Sequence, residues 1–334
     1  MMDLTTTYLG LELDHPIVAS ASPLTRELDG IRRLEDSGAA AVVMPSVYEE
    51  EIEAEDAAFT TLVERGSLEH PEAASYFPGL SRPVGSLESR IEALQQASTS
   101  CGIPIIASLN GSTPTGWIEF AHELESAGAA AIELNIYRVP TDPDVSGEAI
   151  EQGWLETVRS VRNAVSLPLA VKFGPWLSAP TNFATKLVEA GADGLVLVNR
   201  FYEPDIDLST LTPKPDLQLS QPYEMRQALL WIALLAKRTK ASLAATSGVA
   251  GPEEVVKYLL GGADVVMTTS SLLRHGPEHV GVLRAGLEDW MDSRGFASAG
   301  DLRGRLSASR LAHPEAYVRA QYINILTGYG GAGP

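Results

Sequence analysis

The sequence predicts an α/β fold, a single (β/α)8 TIM barrel, on three observations. Four times a helix-like segment ends in a Gly-Ala or Gly-Gly-Ala signal and passes directly into an apolar, strand-like run. Four more such runs lie among these, giving eight in series with helix-like segments between most of them. The runs lack polar alternation, as strands covered on both faces do, and eight parallel strands close a barrel.

In chain order the first run is Pro16–Ser20. The second, Ala40–Met44, follows Ser37-Gly38-Ala39, where glycine suits the left-handed residue that closes a helix. The third is Pro104–Leu109, and the fourth, Ala130–Leu134, follows Ala127-Gly128-Ala129. The fifth is Pro168–Phe173, and the sixth, Gly194–Val198, follows Ala190-Gly191-Ala192. Ser242–Thr246 is the seventh, and Val265–Thr268, after Gly261-Gly262-Ala263, is the eighth. Loop insertions are expected at about 45–83 and 200–223, and the glycine-rich 328–334 as a mobile tail.

A chain of 334 residues fits one such barrel as a single domain. It carries no apolar stretch of membrane-spanning length and no basic segment ahead of a hydrophobic core, so a soluble cytoplasmic protein is expected. A net charge of −18 without a basic stripe argues against nucleic acid. The single cysteine, Cys101, excludes an internal disulfide framework and a built-in iron–sulfur cluster. It precedes the third strand, at the stability face of the barrel, and is expected as a small buried residue. The six histidines lack metal-ligand spacing, so no metal is assigned. The acidic run from Glu49 to Asp56 is expected as a solvated helix face or loop.

In this fold the active site lies where the strands end. The residues found there are Ser20, Ala21 and Ser22 after the first strand, and Ser46 and Tyr48 after the second. Asn135, Tyr137 and Arg138 follow the fourth, Asn199 and Arg200 the sixth. Ser247 and Gly248 follow the seventh strand, Thr269 and Ser270 the eighth. Small residues in these last two loops leave backbone N–H groups to surround an anion, the recurring phosphate grip of the fold; ordinary tight turns are the other reading. Pro252-Glu253-Glu254 looks like a helix start beside them. Lys172 stands in the otherwise apolar fifth strand, where an ammonium needs a counter-charge or acceptor. A ligand carbonyl or an anionic reduced flavin ring would supply one; the alternative is a lysine snorkelling to solvent.

Taken together these residues resemble the dihydroorotate dehydrogenase family of FMN-dependent barrels, from Leu11 to about Trp290. The resemblance rests on His15-Pro16 leading into Ser20-Ala21-Ser22, Glu133-Leu134-Asn135, Val171-Lys172, Val198-Asn199, Ser247-Gly248-Val249 and the segment ending in Gly276-Pro277. It implies FMN as cofactor, with Lys172, Asn135 and Asn199 at the flavin or substrate and the last two loops on the phosphate. It also implies a homodimer. Three positions depart from the family pattern. Arg138 stands where the family has its cysteine or serine base, and an arginine that stays protonated cannot replace it. Pro45, before Ser46, stands where the family has a lysine, and Arg200 where it has a small hydroxyl residue. A small anionic substrate other than dihydroorotate is therefore expected, oriented by Arg138 and Arg200 through bidentate hydrogen bonds, with Ser46 beside it. The alternative for these arginines is pairing with acids such as Glu203, Asp205 or Asp207. Tyr137 and Tyr48 are candidate proton-transfer groups, packing or stacking over a ligand ring being the alternative for either. Any iron–sulfur partner would be a separate redox protein. Two other functions stay open: a catalytically degenerate barrel serving as an accessory subunit, and a lyase or aldolase using Lys172 as a Schiff-base nucleophile.

Overall fold

The computed structural model describes residues 2–52, 87–111, 113–137, 139–200, 205–214 and 216–328. All eight expected runs are strands. With an N-terminal hairpin and short additions they are numbered β1 (Thr6–Tyr8), β2 (Leu11–Leu13), β3 (Ile17–Ala19), β4 (Val42–Val43), β5 (Val47–Tyr48), β6 (Ile105–Asn110) and β7 (Ala131–Ile136). The rest are β8 (Leu169–Phe173), β9 (Gly194–Leu197), β10 (Asp205–Asp207), β11 (Thr212–Lys214), β12 (Ser242–Ala245) and β13 (Val265–Thr268). Pairing runs β4-β3-β13-β12-β9-β8-β7-β6, and β4 pairs with β6 to close the ring. Every pairing in the ring is parallel. Strand β5 lies along the end of β6 at the barrel mouth.

The helices follow from the same punctuation: α1 (Leu28–Asp36), α2 (Leu87–Ser100), α3 (Pro114–Ser126), α4 (Gly147–Ala164), α5 (Pro180–Glu189), α6 (Met225–Leu235) and α7 (Pro252–Gly261). After the last strand come α8 (Ser270–His275), α9 (His279–Ser293), α10 (Ala299–Leu302) and α11 (Pro314–Thr327). The helix-stop glycines Gly38, Gly128, Gly191 and Gly262 all adopt positive φ, between 86° and 121°, which reverses the chain into the next strand at no Cβ cost. Buried side chains between strands and helices form the larger core.

A smaller apolar cluster fills the barrel lumen, and the unforeseen β1–β2 hairpin completes it. Its turn residues Leu9 and Gly10 take positive φ of 55° and 77°. Leu9 enters the N-terminal end of the barrel, where its N–H donates to Ser242 Oγ at 3.1 Å. A Cβ on Gly194 would lie 2.5 Å from Leu9 Cδ2, so this strand residue has to be small. Tyr8 beside it is fully buried.

Two expectations change. Glu49 is not solvated: it is buried, and its carboxylate accepts from the Thr113 N–H at 2.7 Å and from the Thr113 hydroxyl. Its Glu51 neighbour pairs with the buried Arg90 at 2.5 Å. These partners lie at the end of β6 and on α2, far away in sequence, so the local run of acids gives no sign of them. Cys101 is half-buried at the end of α2, and burial with the nearby Glu35 pushes its thiol up. The insertion at 200–223 contains the β10–β11 hairpin, whereas most of the one at 45–83, and the tail beyond Gly328, lie outside the described residues. No helix among the described residues is long and apolar enough to cross a membrane.

Candidate functional site

Parallel register carries chemistry to one end of the barrel. On β7 the alternation places Ala131, Glu133 and Asn135 toward the lumen, and β8 does the same with Ala170 and Lys172. Asn135 sits opposite Lys172 in the ladder, at the C-terminal end. Above it opens a cavity of about 200 Å³ bordered by Ser20, Ala21, Ser22, Lys172, Asn199, Arg200, Ser247, Gly248, Thr269 and Ser270. Ten of the residues singled out in the sequence thus share one space.

Asn135 and Ser46 join it through a chain of side chains. Asn199 Nδ2 donates to Asn135 Oδ1, Asn135 Nδ2 donates to Ser46 Oγ at 3.1 Å, and Ser46 and Ser108 exchange a hydroxyl bond of 2.8 Å. All four residues are buried. The chain fixes both amides across four barrel strands or their ends.

Lys172 is the one cation inside the described barrel strands, and its Nζ lies 3.7 Å from Glu133 Oε1. That is an ion-pair distance, too long for a hydrogen bond. Both Glu133 oxygens are otherwise buried with no hydrogen-bond partner. Burial pushes the Glu133 carboxyl above the usual range, and the Lys172 ammonium pulls it back.

The last two loops are tightly built. Ser247 and Gly248 take positive φ of 76° and 70°, and a Cβ on Gly248 would meet the Met225 nitrogen at 2.7 Å. Tyr258 donates to the carbonyls of Thr246 and Ser247, both at 2.8 Å. Ser220 stands between the loops: Gly248 N–H donates to its Oγ at 3.2 Å, and it donates from N and Oγ to Ser270 Oγ at 3.0 Å each. Arg274 holds the carbonyls of Leu219 and Ser220, each at 2.9 Å. Ser22 is occupied in capping, its Oγ accepting from Leu24 N–H at 3.2 Å, and Thr269 Oγ1 donates to the Ala21 carbonyl at 3.3 Å. The helix start at Pro252 is real, but Glu254 sits at that N-terminus and accepts from Gly251 N–H at 2.9 Å.

Tyr137 goes elsewhere, and Arg200, although it borders the cavity, is engaged by Glu224. Tyr137 borders a separate cavity of about 620 Å³ with Asn110, Trp117 and Trp154. Arg200 Nε donates to Glu224 Oε2 at 2.7 Å and its guanidinium also reaches the Gln218 carbonyl. Among the described residues its acid partner is Glu224, not Asp205 or Asp207; Glu203 and Arg138 lie outside the described residues. Ser220, Arg274 and Glu224 escaped the sequence reading because loop hydroxyls and surface charges carry no periodic signal. Glu133 had one, the same as Lys172: a charge inside an apolar strand.

No family model matches the chain. Curated proteins do, along most of its length. A provisionally described dihydroorotate dehydrogenase A (fumarate) of Aeropyrum pernix is 27% identical over 316 residues, 90% of this chain and 97% of that protein. The dihydroorotate dehydrogenase B (NAD(+)) catalytic subunit of Methanothermobacter thermautotrophicus is 24% identical over 311 residues, 90% of this chain and 97% of its own length. That of Thermoplasma acidophilum is 26% identical over 316 residues, 91% and 99% of the two chains.

Proposed function

We propose that this barrel, similar to dihydroorotate dehydrogenases over about 90% of its length, is an FMN-dependent oxidoreductase acting on a small anionic substrate. One observation carries the proposal: Lys172, Asn199 and the loops at Ser247–Gly248 and Thr269–Ser270 border the same cavity. The donor set fits the cofactor. An ammonium and an amide suit the carbonyl-bearing edge of a flavin ring, and loop N–H groups and hydroxyls suit its phosphate. When bound, FMN supplies acceptance of a hydride from the substrate.

Lys172 would hold the ring of a bound FMN and offer its positive charge to negative charge developing on reduction. Asn199 is held by Asn135, itself fixed by Ser46, so its amide is presented without a reorganisation cost. Ser220, pinned by Arg274, lies where the phosphate-side donors converge and keeps the two loops together. Arg200 ties its strand end to Glu224.

A substrate other than dihydroorotate is favoured by Pro45 at the strand-two position and by Arg138 at the position of the family's base. The second of these observations also favours an accessory barrel that binds the cofactor without proton abstraction. Several similar proteins are named as catalytic subunits, and a separate redox partner belongs with either reading here. The test is the visible spectrum of the purified protein with identification of released chromophore. Bound FMN, diminished at least severalfold in Lys172→Ala, is the expected result. A colourless protein that fails to take up added FMN overturns the proposal.

A further inference from the structure

Inside the barrel the charges are arranged as a column. Glu133 lies one layer below Lys172, in register with Ala170, surrounded by the small and apolar lumen residues. Its side chain is 1% exposed against 15% for that of Lys172. Among the described residues its two oxygens find no hydrogen-bond donor, and the Lys172 ammonium at 3.7 Å is the group that compensates it. A carboxyl group buried in a lumen without donors is costly, and a packed apolar side chain would serve the barrel's stability as well or better. The hairpin below offers no relief: the Tyr8 hydroxyl is buried too, without a partner.

Geometry gives the acid a function the lysine alone lacks. A lysine stem at the top of β8 can extend outward into solvent. A fixed negative charge one layer down draws the ammonium back over the lumen, to the floor of the cavity. We propose that Glu133 is the positioning residue of the site: it anchors Lys172 over the barrel and sets the net charge presented to the ring bound above. The inference rests on the FMN reading for its ligand, but the Glu133–Lys172 pairing is independent of it. Lys172 is then shared between a fixed anion below and a ring that becomes anionic on reduction. Glu133 moderates how strongly the reduced ring is held, because an ammonium already compensated stabilises a second anion less.

Two arms separate the inference from the reading it deepens. In the protein loaded with FMN, Glu133→Gln removes the negative charge and keeps the shape. The flavin midpoint potential, measured by dye equilibration, is expected to become more positive than in the parent, and FMN is retained. An unchanged or more negative potential overturns the proposal. In the FMN-free protein, urea unfolding of Glu133→Gln, Lys172→Met and the double variant forms a cycle. The double variant is expected to unfold at a higher urea midpoint than Lys172→Met, which strands the buried carboxyl. Strictly additive midpoint losses overturn the pairing. If the parent takes up no FMN while the cycle is non-additive, the oxidoreductase reading fails and the anchoring of Lys172 stands.

Discussion

Tyr8 brings a hydroxyl into the barrel lumen where none of the described residues accepts its proton. Burial first, then the negative charges of Glu133 and Asp264, push the phenol well above its ordinary value. The ring fills space between the hairpin and the lumen residues, whereas the hydroxyl adds a desolvated donor. Tyr8→Phe keeps the packing and removes the orphan, so its stability should equal the parent's or exceed it by about 1 kcal/mol. Urea denaturation checks this, and a loss of more than roughly 1 kcal/mol would mean that the hydroxyl has an acceptor. At this scale the sequence was legible where chemistry contradicts its surroundings. Lys172 stands out in an apolar strand, and so does Glu133 in Ala131–Ile136. The partners of Arg200 were not legible, since Glu224 and Gln218 reach it through the path of a long loop rather than through spacing.

The loop after β12 illustrates what an element needs to hold a site. Ser247 and Gly248 both lie in the left-handed region, α6 begins against Gly248, and Tyr258 ties the loop carbonyls from beneath. Gly248→Ala meets both a backbone penalty and the Met225 nitrogen at 2.7 Å. We expect a loss of roughly 1–3 kcal/mol in unfolding free energy, together with weaker FMN retention. Unfolding curves beside a flavin titration check both; an unaltered midpoint would show that α6 shifts to admit the methyl. The strands themselves were readable because double burial leaves continuous apolar runs, bounded by glycines that had to be left-handed. Their lengths were not. Only Val42 and Val43 of the second run form β4, because pairing depends on neighbours in the barrel. The β1–β2 hairpin was missed for the related reason that three-residue strands hold too few alternations to differ from a loop.

Across the whole molecule, pH sets groups of opposite sign against one another. His15 is buried, accepts from Ile17 N–H at Nδ1 (3.2 Å) and faces the Gly38 carbonyl with Nε2 at 2.6 Å, so Nε2 carries the proton. Burial lowers its pKa below 6.5, with Arg284 adding to the effect and the Gly38 bond, Asp14 and Glu288 opposing it. A depressed folded pKa means that the unfolded chain takes up the extra proton first, so stability is lost as pH falls below 6.5 through the folded value. Glu133 and Asp264 are raised, chiefly by burial, from 4.5 and 3.8. In their windows above those values the native state holds the extra proton, and stability falls as pH rises. The net charge of −18 adds self-repulsion that acid relieves. Relief of this repulsion and the two buried acids therefore oppose His15 on the acid side, and of the three titrating groups His15 alone destabilises the fold on acidification below about pH 6.5. His15→Gln, which cannot gain that proton, should flatten the decline in urea midpoint between about pH 6.5 and pH 5, recovering up to about 1 kcal/mol relative to its own neutral value. The comparison is of slopes, so the substitution's own packing loss cancels. Parallel profiles for the parent and the variant would place the acid sensitivity on other groups.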